Sequence, residues 1–195
     1  MTNRLTRIYT RSGDQGSTGL ANGERISKTS LRIDTLGTID ELNSSIGLII
    51  ASLGNNPMDQ DNTADVCACL TLIQHQLFDL GGELAVADEN YTVIDQSEIN
   101  YLEQEIDRLN QQLPPLKEFI LPGGPLAACH THLARSICRR AERCMTALVA
   151  ENTSYVSPLA LAYLNRLSDL LFVASRTLAL RQGGEEVLWC PRDKR

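Results

Sequence analysis

Apolar residues recur every three or four positions through most of this chain, in five runs separated by clusters rich in proline, glycine and asparagine. This spacing lines one face of an α-helix, because a helix completes a turn about every 3.6 residues. Aromatic residues make up only 5% of the chain, so aliphatic side chains must fill the core, as in helical bundles. We therefore predict an all-α protein, a five-helix bundle, and exclude an all-β sandwich.

The breaks between the runs predict the helix ends. Ser157 followed by Pro158 is typical of an N-cap and first helical turn, and Gly183 with Gly184 is typical of a helix end. The five predicted helices cover approximately residues 27–53, 61–87, 97–113, 126–151 and 157–182. No clear strand is expected between them.

The first two dozen residues have a different composition. The stretch TRSGDQGSTGLANGE contains four glycines and many small polar residues, without helical spacing. Consecutive backbone N–H groups, with glycines free to adopt positive φ, can cradle a phosphate group. The stretch lacks the G-x-x-x-x-G-K-[ST] pattern of a P-loop. It is therefore either an ordered glycine-rich, phosphate-binding loop or a flexible arm.

Charge and cysteine content exclude several classes of protein. The net charge of −6 argues against a general nucleic-acid or membrane-surface binder, because such proteins carry a basic field over much of their surface. No apolar stretch approaches the roughly 20 residues that a bilayer span requires, and the N-terminus lacks an apolar signal segment. The six cysteines lack the spacing of a secreted disulfide framework. We expect a cytoplasmic protein with no nucleic-acid and no membrane partner.

The main charge anomaly is a cluster of four arginines within nine positions: Arg135, Arg139, Arg140 and Arg143, with Glu142 among them. At about 100° per residue, Arg135, Arg139 and Glu142 share one polar face of the predicted fourth helix. The plain structural explanation is a solvated face with Arg–Glu pairs three residues apart. The functional alternative is a face that binds a polyanion.

Two further sets of polar residues are candidates for a binding site or for metal ligands. Asn165 and Asp169 form a second stripe on the predicted fifth helix, which is either a tolerated surface or part of a site. The histidines at 75, 130 and 132 belong to no E-x-x-H or H-E-x-x-H pattern. The chain therefore does not match a carboxylate-bridged metal oxidase, and we expect no metal held by protein side chains.

Six short motifs, taken in order, carry a resemblance that none of them carries alone. They are TRSGDQGSTGL, GERISK, GTIDELNSSIGL, FILPGG, RSICRRAER and NRLSDLLFVASR. In this order and spacing they closely resemble the ATP:cob(I)alamin adenosyltransferases of the propanediol-utilisation type. The resemblance implies a homotrimer of five-helix bundles with active sites between subunits. It also implies transfer of the 5′-deoxyadenosyl group of ATP to the cobalt of cob(I)alamin, giving adenosylcobalamin and triphosphate.

The resemblance divides a single domain into a nucleotide-binding N-terminal segment (1–26), the helical bundle (27–183) and a C-terminal tail (184–195). Candidate ATP contacts are Thr10, Arg11, Gly13, Asp14, Gly16, Ser17, Lys28, Arg135, Arg139, Glu142 and Asn165. Candidate cobalamin contacts are Phe119 and Asp169. Asp40 is expected to pair with Arg135 across the subunit boundary. The candidate catalytic residues are Arg135, Arg139, Asp40 and Phe119.

The resemblance also implies partners. Mg²⁺ is expected to enter with ATP, bound through the phosphates, and a cob(II)alamin reductase is expected to supply the cob(I)alamin substrate. Cob(I)alamin is itself a strong nucleophile, so the protein must chiefly position the reactants and stabilise the leaving triphosphate. Phe119 either occupies the lower face of the corrin, as in the family, or plugs the end of the bundle. The rival interpretation is an ATP-sensing bundle that binds a partner protein without chemistry.

Overall fold

The computed structural model describes residues 9–54, 57–151 and 155–195, with the backbone alone for residues 57–61. Its helices are α1 (Leu31–Leu53), α2 (Pro57–Val86), α3 (Gln96–Asn110), α4 (Leu126–Ala150) and α5 (Pro158–Arg181). The predicted all-α, five-helix architecture is therefore confirmed. The first eight residues of the predicted nucleotide-binding segment lie outside the described residues.

The helices share one apolar core. α1 packs against α2 and α4, while α5 packs against α3 and α4 and also touches α2. Each helix contributes fully buried side chains, among them Leu42, Ile73, Leu102, Met145 and Leu167. Burying a side chain of this size stabilises the fold by about 1.5–3 kcal/mol. The buried Tyr163 hydroxyl donates to Gln76 Oε1 at 2.9 Å, so this polar group is satisfied inside the core.

Capping residues explain where two of the helices begin. Ser157 caps α5 and Pro158 occupies its first turn, as predicted. α3 begins one residue before the predicted Ser97, because Asp95 is its N-cap and forms a reciprocal capping box with Glu98.

α2 is longer than predicted. It begins at Pro57 rather than near residue 61, since proline is tolerated in the first turn of a helix. As predicted, it continues through Gly81 and Gly82, and it ends at Val86, one residue before the predicted end. Among the described residues, no helix combines the length and the apolar character that crossing a membrane requires.

The prediction of no clear strand is wrong for the segment before α1. Two three-residue strands, β1 (Ser17–Gly19) and β2 (Arg25–Ser27), pair antiparallel. Gly23, in the turn between them, has a φ of +89°, which side chains other than glycine rarely adopt. Ala21 N donates to Ala85 O at 2.9 Å, which docks this hairpin on the end of α2. Strands this short hold too few residues to show alternation in a sequence.

After α5 the chain turns back towards the start of α4. Gly184 N donates to Ala179 O at 2.8 Å, and a Cβ on Gly184 would lie 2.5 Å from Pro125 Cδ, so this turn needs glycine. The following segment forms an isolated antiparallel bridge between Leu188 and Ile120. The C-terminal tail therefore lies beside the loop that precedes α4.

Candidate functional site

The glycine-rich loop before β1 folds into a tight, hydrogen-bonded turn. Asp14 N donates to Arg11 O at 3.4 Å, and Gly16 N donates to Gly13 O at 3.2 Å. Gly16 has a φ of +81°, a conformation that glycine adopts without steric cost. Lys28 N donates to Gly16 O at 2.9 Å, so the residue after β2 closes the turn. This contact brings together residues of the two N-terminal motifs.

The ammonium group of Lys28 lies directly against Gly13. A Cβ on Gly13 would be 3.0 Å from Lys28 Nζ and 3.3 Å from Ser17 O, so the absence of a side chain permits the approach. Lys28 takes part in none of the ion pairs between described residues. A cation beside a turn of backbone N–H groups is an arrangement that binds phosphate.

Arg25 holds this loop closed, a role that the sequence analysis missed. Its Nη2 lies 2.6 Å from Ser12 O, 2.6 Å from Ser17 Oγ and 3.2 Å from Ser17 O. These acceptors, two carbonyl oxygens and a hydroxyl, occupy Arg25, so of Arg25 and Lys28 it is Lys28 that is left available to an anionic ligand. Arg25 stands in the GERISK motif that was quoted for Lys28, so the motif contained the signal.

Thr10 and Arg11 stand near the start of the described part of the loop. Thr10 Oγ1 lies 2.8 Å from Ser12 Oγ. Arg11 has a φ of +61°, and its guanidinium lies 5.6 Å from the centroid of the Tyr9 ring, a cation–π contact. The Arg11 side chain therefore contacts the Tyr9 ring, and its contact with phosphate stays a prediction.

The four arginines of α4 differ in their partners. Arg140 pairs with Glu41 on α1, and Arg143 donates to the carbonyl of Arg139 at 2.9 Å. Arg135, Arg139 and Arg143 make no ion pair with any described residue, and of these three Arg143 has the carbonyl of Arg139 as its acceptor. A face of Arg–Glu pairs therefore accounts for neither Arg135 nor Arg139.

Arg135 is half-buried and incompletely satisfied. Its Nε is buried and has no hydrogen-bond partner among the described residues, and its guanidinium lies 6.0 Å from the centroid of the Phe172 ring. An unsatisfied buried donor costs about 1–3 kcal/mol. Burial, and secondarily the charge of Arg135, lower the pKa of the neighbouring His132.

Glu142 and Asn165 are brought together across the α4–α5 contact. Asn165 Nδ2 donates to Glu142 Oε1 at 2.8 Å. Glu142 therefore has Asn165 as its partner. It is not paired with Arg139, which lies three residues earlier on the same helix. The polar face predicted for α4 therefore continues onto α5.

Asp169 belongs to a different cluster on α5. It accepts from Arg166 Nη1 at 3.1 Å, and Arg166 also pairs with Glu103 on α3 at 2.9 Å. The hydrogen bond from Arg166 to Glu103, more than that to Asp169, raises the pKa of Arg166. The cobalamin contact assigned to Asp169 stays a prediction.

Phe119 lies outside the core. Its side chain is 76% exposed, so it does not plug the end of the bundle in the isolated chain. The ring meets Trp189 of the tail edge to face, with centroids 6.5 Å apart and planes at 77°. Trp189 N donates to Phe119 O at 2.7 Å. The position of Phe119 therefore depends on the tail.

Asp40 is exposed on α1 and takes part in no ion pair within the described residues. It borders a surface depression of about 270 Å³ that also includes Leu36, Gly81 and Phe78. Phe78 is 75% exposed, an unusual exposure for a phenylalanine. The predicted partner of Asp40, Arg135, is not paired with it within one chain.

The predicted site residues form separate groups in a single chain. No hydrogen bond or ion pair seen between the described residues joins the loop at 10–28 to Arg135, Arg139 or Phe119. In the described ranges, no three His, Cys, Asp or Glu side chains lie close enough together to hold a metal ion.

The sequence matches a known family over most of its length. The family sequence model described as Cobalamin adenosyltransferase matches residues 8–178. A "Cobalamin adenosyltransferase" from Cupriavidus metallidurans is 47% identical over 189 residues, covering 97% of each chain. A "Corrinoid adenosyltransferase" from Bacillus subtilis is 46% identical, over 91% of this chain and 89% of the relative.

Solved structures agree with the sequence matches. A variant of the PduO-type ATP:corrinoid adenosyltransferase from Lactobacillus reuteri, complexed with cobalamin and ATP, superposes with a TM-score of 0.84 at 33% identity. The match covers 95% of this chain and 100% of that one. Another variant of the same protein, complexed with ATP, has a TM-score of 0.83.

Proposed function

This chain belongs to the cobalamin adenosyltransferase family, and we propose that its candidate residues form an ATP half and a corrinoid half of one active site. The chain is a corrinoid adenosyltransferase, which transfers the 5′-deoxyadenosyl group of ATP to the cobalt of cob(I)alamin. The products are adenosylcobalamin and triphosphate.

The observation that carries the assignment is a set of cations without acidic partners in the described residues. Lys28 lies against the Gly13 turn, and Arg135 and Arg139 lie on one face of α4. Other arginines of this chain, such as Arg140, Arg166 and Arg176, are paired with carboxylates. Cations left unpaired in this way are suited to a triphosphate, which supplies the missing negative charge.

In the ATP half, the loop from Thr10 to Ser17 supplies backbone N–H groups and hydroxyls to the phosphates, and Lys28 supplies a positive charge. Arg139 stabilises the charge that develops on the triphosphate as the bond to C5′ breaks. Glu142 and Asn165, already joined by a hydrogen bond, border the same face and take part in holding the nucleotide. The residues act by binding and orienting rather than by proton transfer.

Mg²⁺ enters this site with ATP. The ion usually keeps several waters and is held by one or two carboxylates together with substrate phosphates, rather than by a dedicated cage of protein ligands. Asp14 is the acidic residue within the loop at 10–17, so it is the carboxylate placed to reach such an ion or one of its waters. When bound, Mg²⁺ neutralises part of the phosphate charge.

In the corrinoid half, Phe119 presents its exposed ring to the lower face of the corrin, and Asp169 lies on the adjoining helix. A ring in that position keeps the lower axial base off cobalt and leaves the metal of the substrate four-coordinate. Loss of the axial donor makes cob(II)alamin easier to reduce. Cob(I)alamin then attacks C5′ in line with the leaving triphosphate, so the chain's task is to hold the two at short range.

The two halves meet in a homotrimer. Asp40 pairs with Arg135 of a neighbouring subunit, which satisfies the unpartnered Nε of Arg135 and the exposed carboxylate together. The depression beside Asp40 and the 75% exposed Phe78 support an interface on this side of α1 and α2. Separation of the loop from the α4 arginines within one chain is expected if neighbouring subunits complete the site.

We further propose a cellular compartment and a partner enzyme for the chain. The six cysteines are free thiols, which fits a reducing compartment, and we place the chain in the cytoplasm. A cob(II)alamin reductase acts as its partner, because transfer requires cobalt in the cob(I) state.

Mixing the protein with ATP, Mg²⁺ and chemically reduced cob(I)alamin tests the proposal. We expect the absorption spectrum of adenosylcobalamin and one triphosphate released per transfer. Lys28→Gln should raise the KM for ATP, whereas Lys194→Gln, a matched change in the C-terminal turn, should not. ATP binding with neither product formed would instead favour the ATP-sensing bundle.

A further inference from the structure

The C-terminal tail docks on the bundle with little apolar burial. Val187, Leu188 and Trp189 remain 60%, 48% and 40% exposed. The tail also spans a cavity of about 230 Å³, whose walls include His132 on α4, instead of resting on packed core. Because apolar stabilisation is proportional to the area removed from water, burial alone explains the docking poorly. Specific polar contacts must hold the tail.

Arg176 on α5 supplies the strongest of these contacts. Its side chain is 3% exposed, and it binds Glu186 of the tail in a bidentate pair, with Nε–Oε1 2.5 Å and Nη2–Oε2 3.2 Å. Nη2 also donates to Pro114 O at 2.8 Å. A planar guanidinium fixes both the distance and the direction of its partners. Arg176 therefore ties two chain segments to α5 from one buried point.

The ion pair sits immediately before the strand-like part of the tail. Leu121 N donates to Val187 O at 2.8 Å, and Trp189 N donates to Phe119 O at 2.7 Å. Glu186 is the residue that precedes this short ladder, so its attachment to Arg176 sets where the ladder begins. The ladder in turn fixes the backbone of Phe119, and Trp189 contacts its ring.

We infer that Arg176 is a positioning residue for the corrinoid half of the site, acting through Glu186 and the tail on Phe119. The inference rests on the proposed function, since it concerns how Phe119 is held at the corrin. Arg176 itself is buried and touches neither substrate. Its effect is to hold the exposed Phe119 ring in one position and orientation. The small apolar contact between the tail and the bundle could not do this alone.

Glu186→Gln is the main test, with Glu185→Gln as the matched control at the neighbouring position, where no ion pair is formed in the described residues. Trp189 is the only tryptophan of the chain, so its fluorescence reports tail docking independently of activity. Hydrogen exchange at the Leu121 and Trp189 amides reports the ladder. Arg176→Lys is a second variant, because an ammonium group cannot reproduce the bidentate contact.

We expect Glu186→Gln to keep its helical circular dichroism while the Trp189 emission shifts to the red and both amides exchange faster. The KM for the corrinoid should rise about tenfold, the factor that corresponds to weakening one charge-assisted hydrogen bond, and the KM for ATP should stay constant. Arg176→Lys should change the same quantities, and Glu185→Gln should change none.

Unchanged Trp189 emission and amide exchange in Glu186→Gln would overturn the role of the ion pair in holding the tail. A loosened tail with normal corrinoid kinetics would overturn its role in positioning Phe119. Absence of transfer in the unmodified protein would instead contradict the proposed function and with it the kinetic half of the inference. The fluorescence and exchange results would then still decide whether the ion pair holds the tail.

Discussion

Asn165 on α5 donates a hydrogen bond to Glu142 on α4, with 2.8 Å between Nδ2 and Oε1. The contact gives Glu142 a neutral partner, although Arg139 stands three residues before it, at a spacing that favours an intrahelical ion pair. Arg139 is thereby left available to an anionic substrate. The hydrogen bond between two helices thus influences the charge presented by one of them.

Asn165→Ala should weaken ATP binding for this reason. Without the amide, Glu142 is expected to turn towards Arg139 and neutralise part of its charge. We expect the KM for ATP to rise about tenfold with the helical content unchanged, as for the loss of one hydrogen bond to a charged group. Steady-state kinetics with saturating cob(I)alamin measure this, and Asn100→Ala on α3 is a control. An ATP KM equal to that of the unmodified protein would separate Asn165 from the nucleotide site.

Arg139→Ala should abolish most turnover while the bundle remains folded. The Arg139 side chain makes no ion pair in the described residues, and the hydrogen bond that Arg143 donates to Arg139 is made to the backbone carbonyl, which alanine retains. By comparison with the loss of an oxyanion donor, we expect transition-state stabilisation to fall by roughly 3 kcal/mol. Arg143→Ala, one turn further along α4, is the matched control. Near-normal kcat/KM in folded Arg139→Ala would remove this residue from the site.

Asp40→Ala should impair assembly or activity, and Asp40→Glu should do so less. Truncating one member of a partly buried ion pair leaves the other charge unpaired, which costs more than the pair itself contributes. Analytical ultracentrifugation measures the trimer, and adenosylation measures the site. If both variants sediment and turn over like the unmodified protein, the proposed pairing of Asp40 with Arg135 is wrong.

Phe119→Ala should act on corrinoid reduction rather than on ATP. We expect slow adenosylation when cob(II)alamin is reduced in the assay by a flavin system, and a larger five-coordinate cob(II)alamin fraction by EPR or magnetic circular dichroism. The KM for ATP should change far less. An undiminished four-coordinate signal in the folded variant would show that this ring does not exclude the axial base.

Asp65 should make stability sensitive to acid. Burial acts to raise its pKa, but hydrogen bonds from Arg181 and Arg108 outweigh this effect and hold the pKa at about 2. A lowered pKa in the folded state stabilises the protein above the unfolded value near 3.8, and this stabilisation is lost as the pH falls towards 2.

Because Asp65 is partly exposed, its contribution is expected to be about 1 kcal/mol. Urea unfolding of the unmodified protein and Asp65→Asn across this pH window measures it. The difference in unfolding free energy between the two proteins should shrink as the pH falls. A difference that stays constant from pH 6 to 2 would contradict the assignment.

The sequence was sufficient to predict those parts of the fold that local signals determine. Ser157 and Pro158 fixed the start of α5, and the five apolar runs correspond to the five helices, because capping and periodicity act within one or two turns. The start of α2 was predicted too late, since Pro57 was interpreted as part of the preceding break. Proline lacks a backbone N–H, and the N–H groups of the first helical turn have no acceptor within the helix, so proline can begin a helix as well as end one.

Contacts between distant residues were not predictable in this way. Arg140 and Glu41 are 99 positions apart, and nothing in either motif indicates that they pair and so differ from Arg135 and Arg139. Arg25 and Arg176 stand in motifs that were quoted, yet their acceptors are defined only by the folded backbone. The individual assignments of ATP and corrinoid contacts remain predictions for the experiments above.

The ladder between the tail and the loop before α4 has a consequence for the order in which the protein matures during synthesis. Val187 and Trp189 leave the ribosome after every helix of the bundle, yet they provide the backbone partners of Leu121 and Phe119. The bundle can therefore form its core, and the loop before α4 can form its turn, before the tail is present to support Phe119. A nascent chain released at the end of α5 would be folded in its helices and immature at its corrinoid surface.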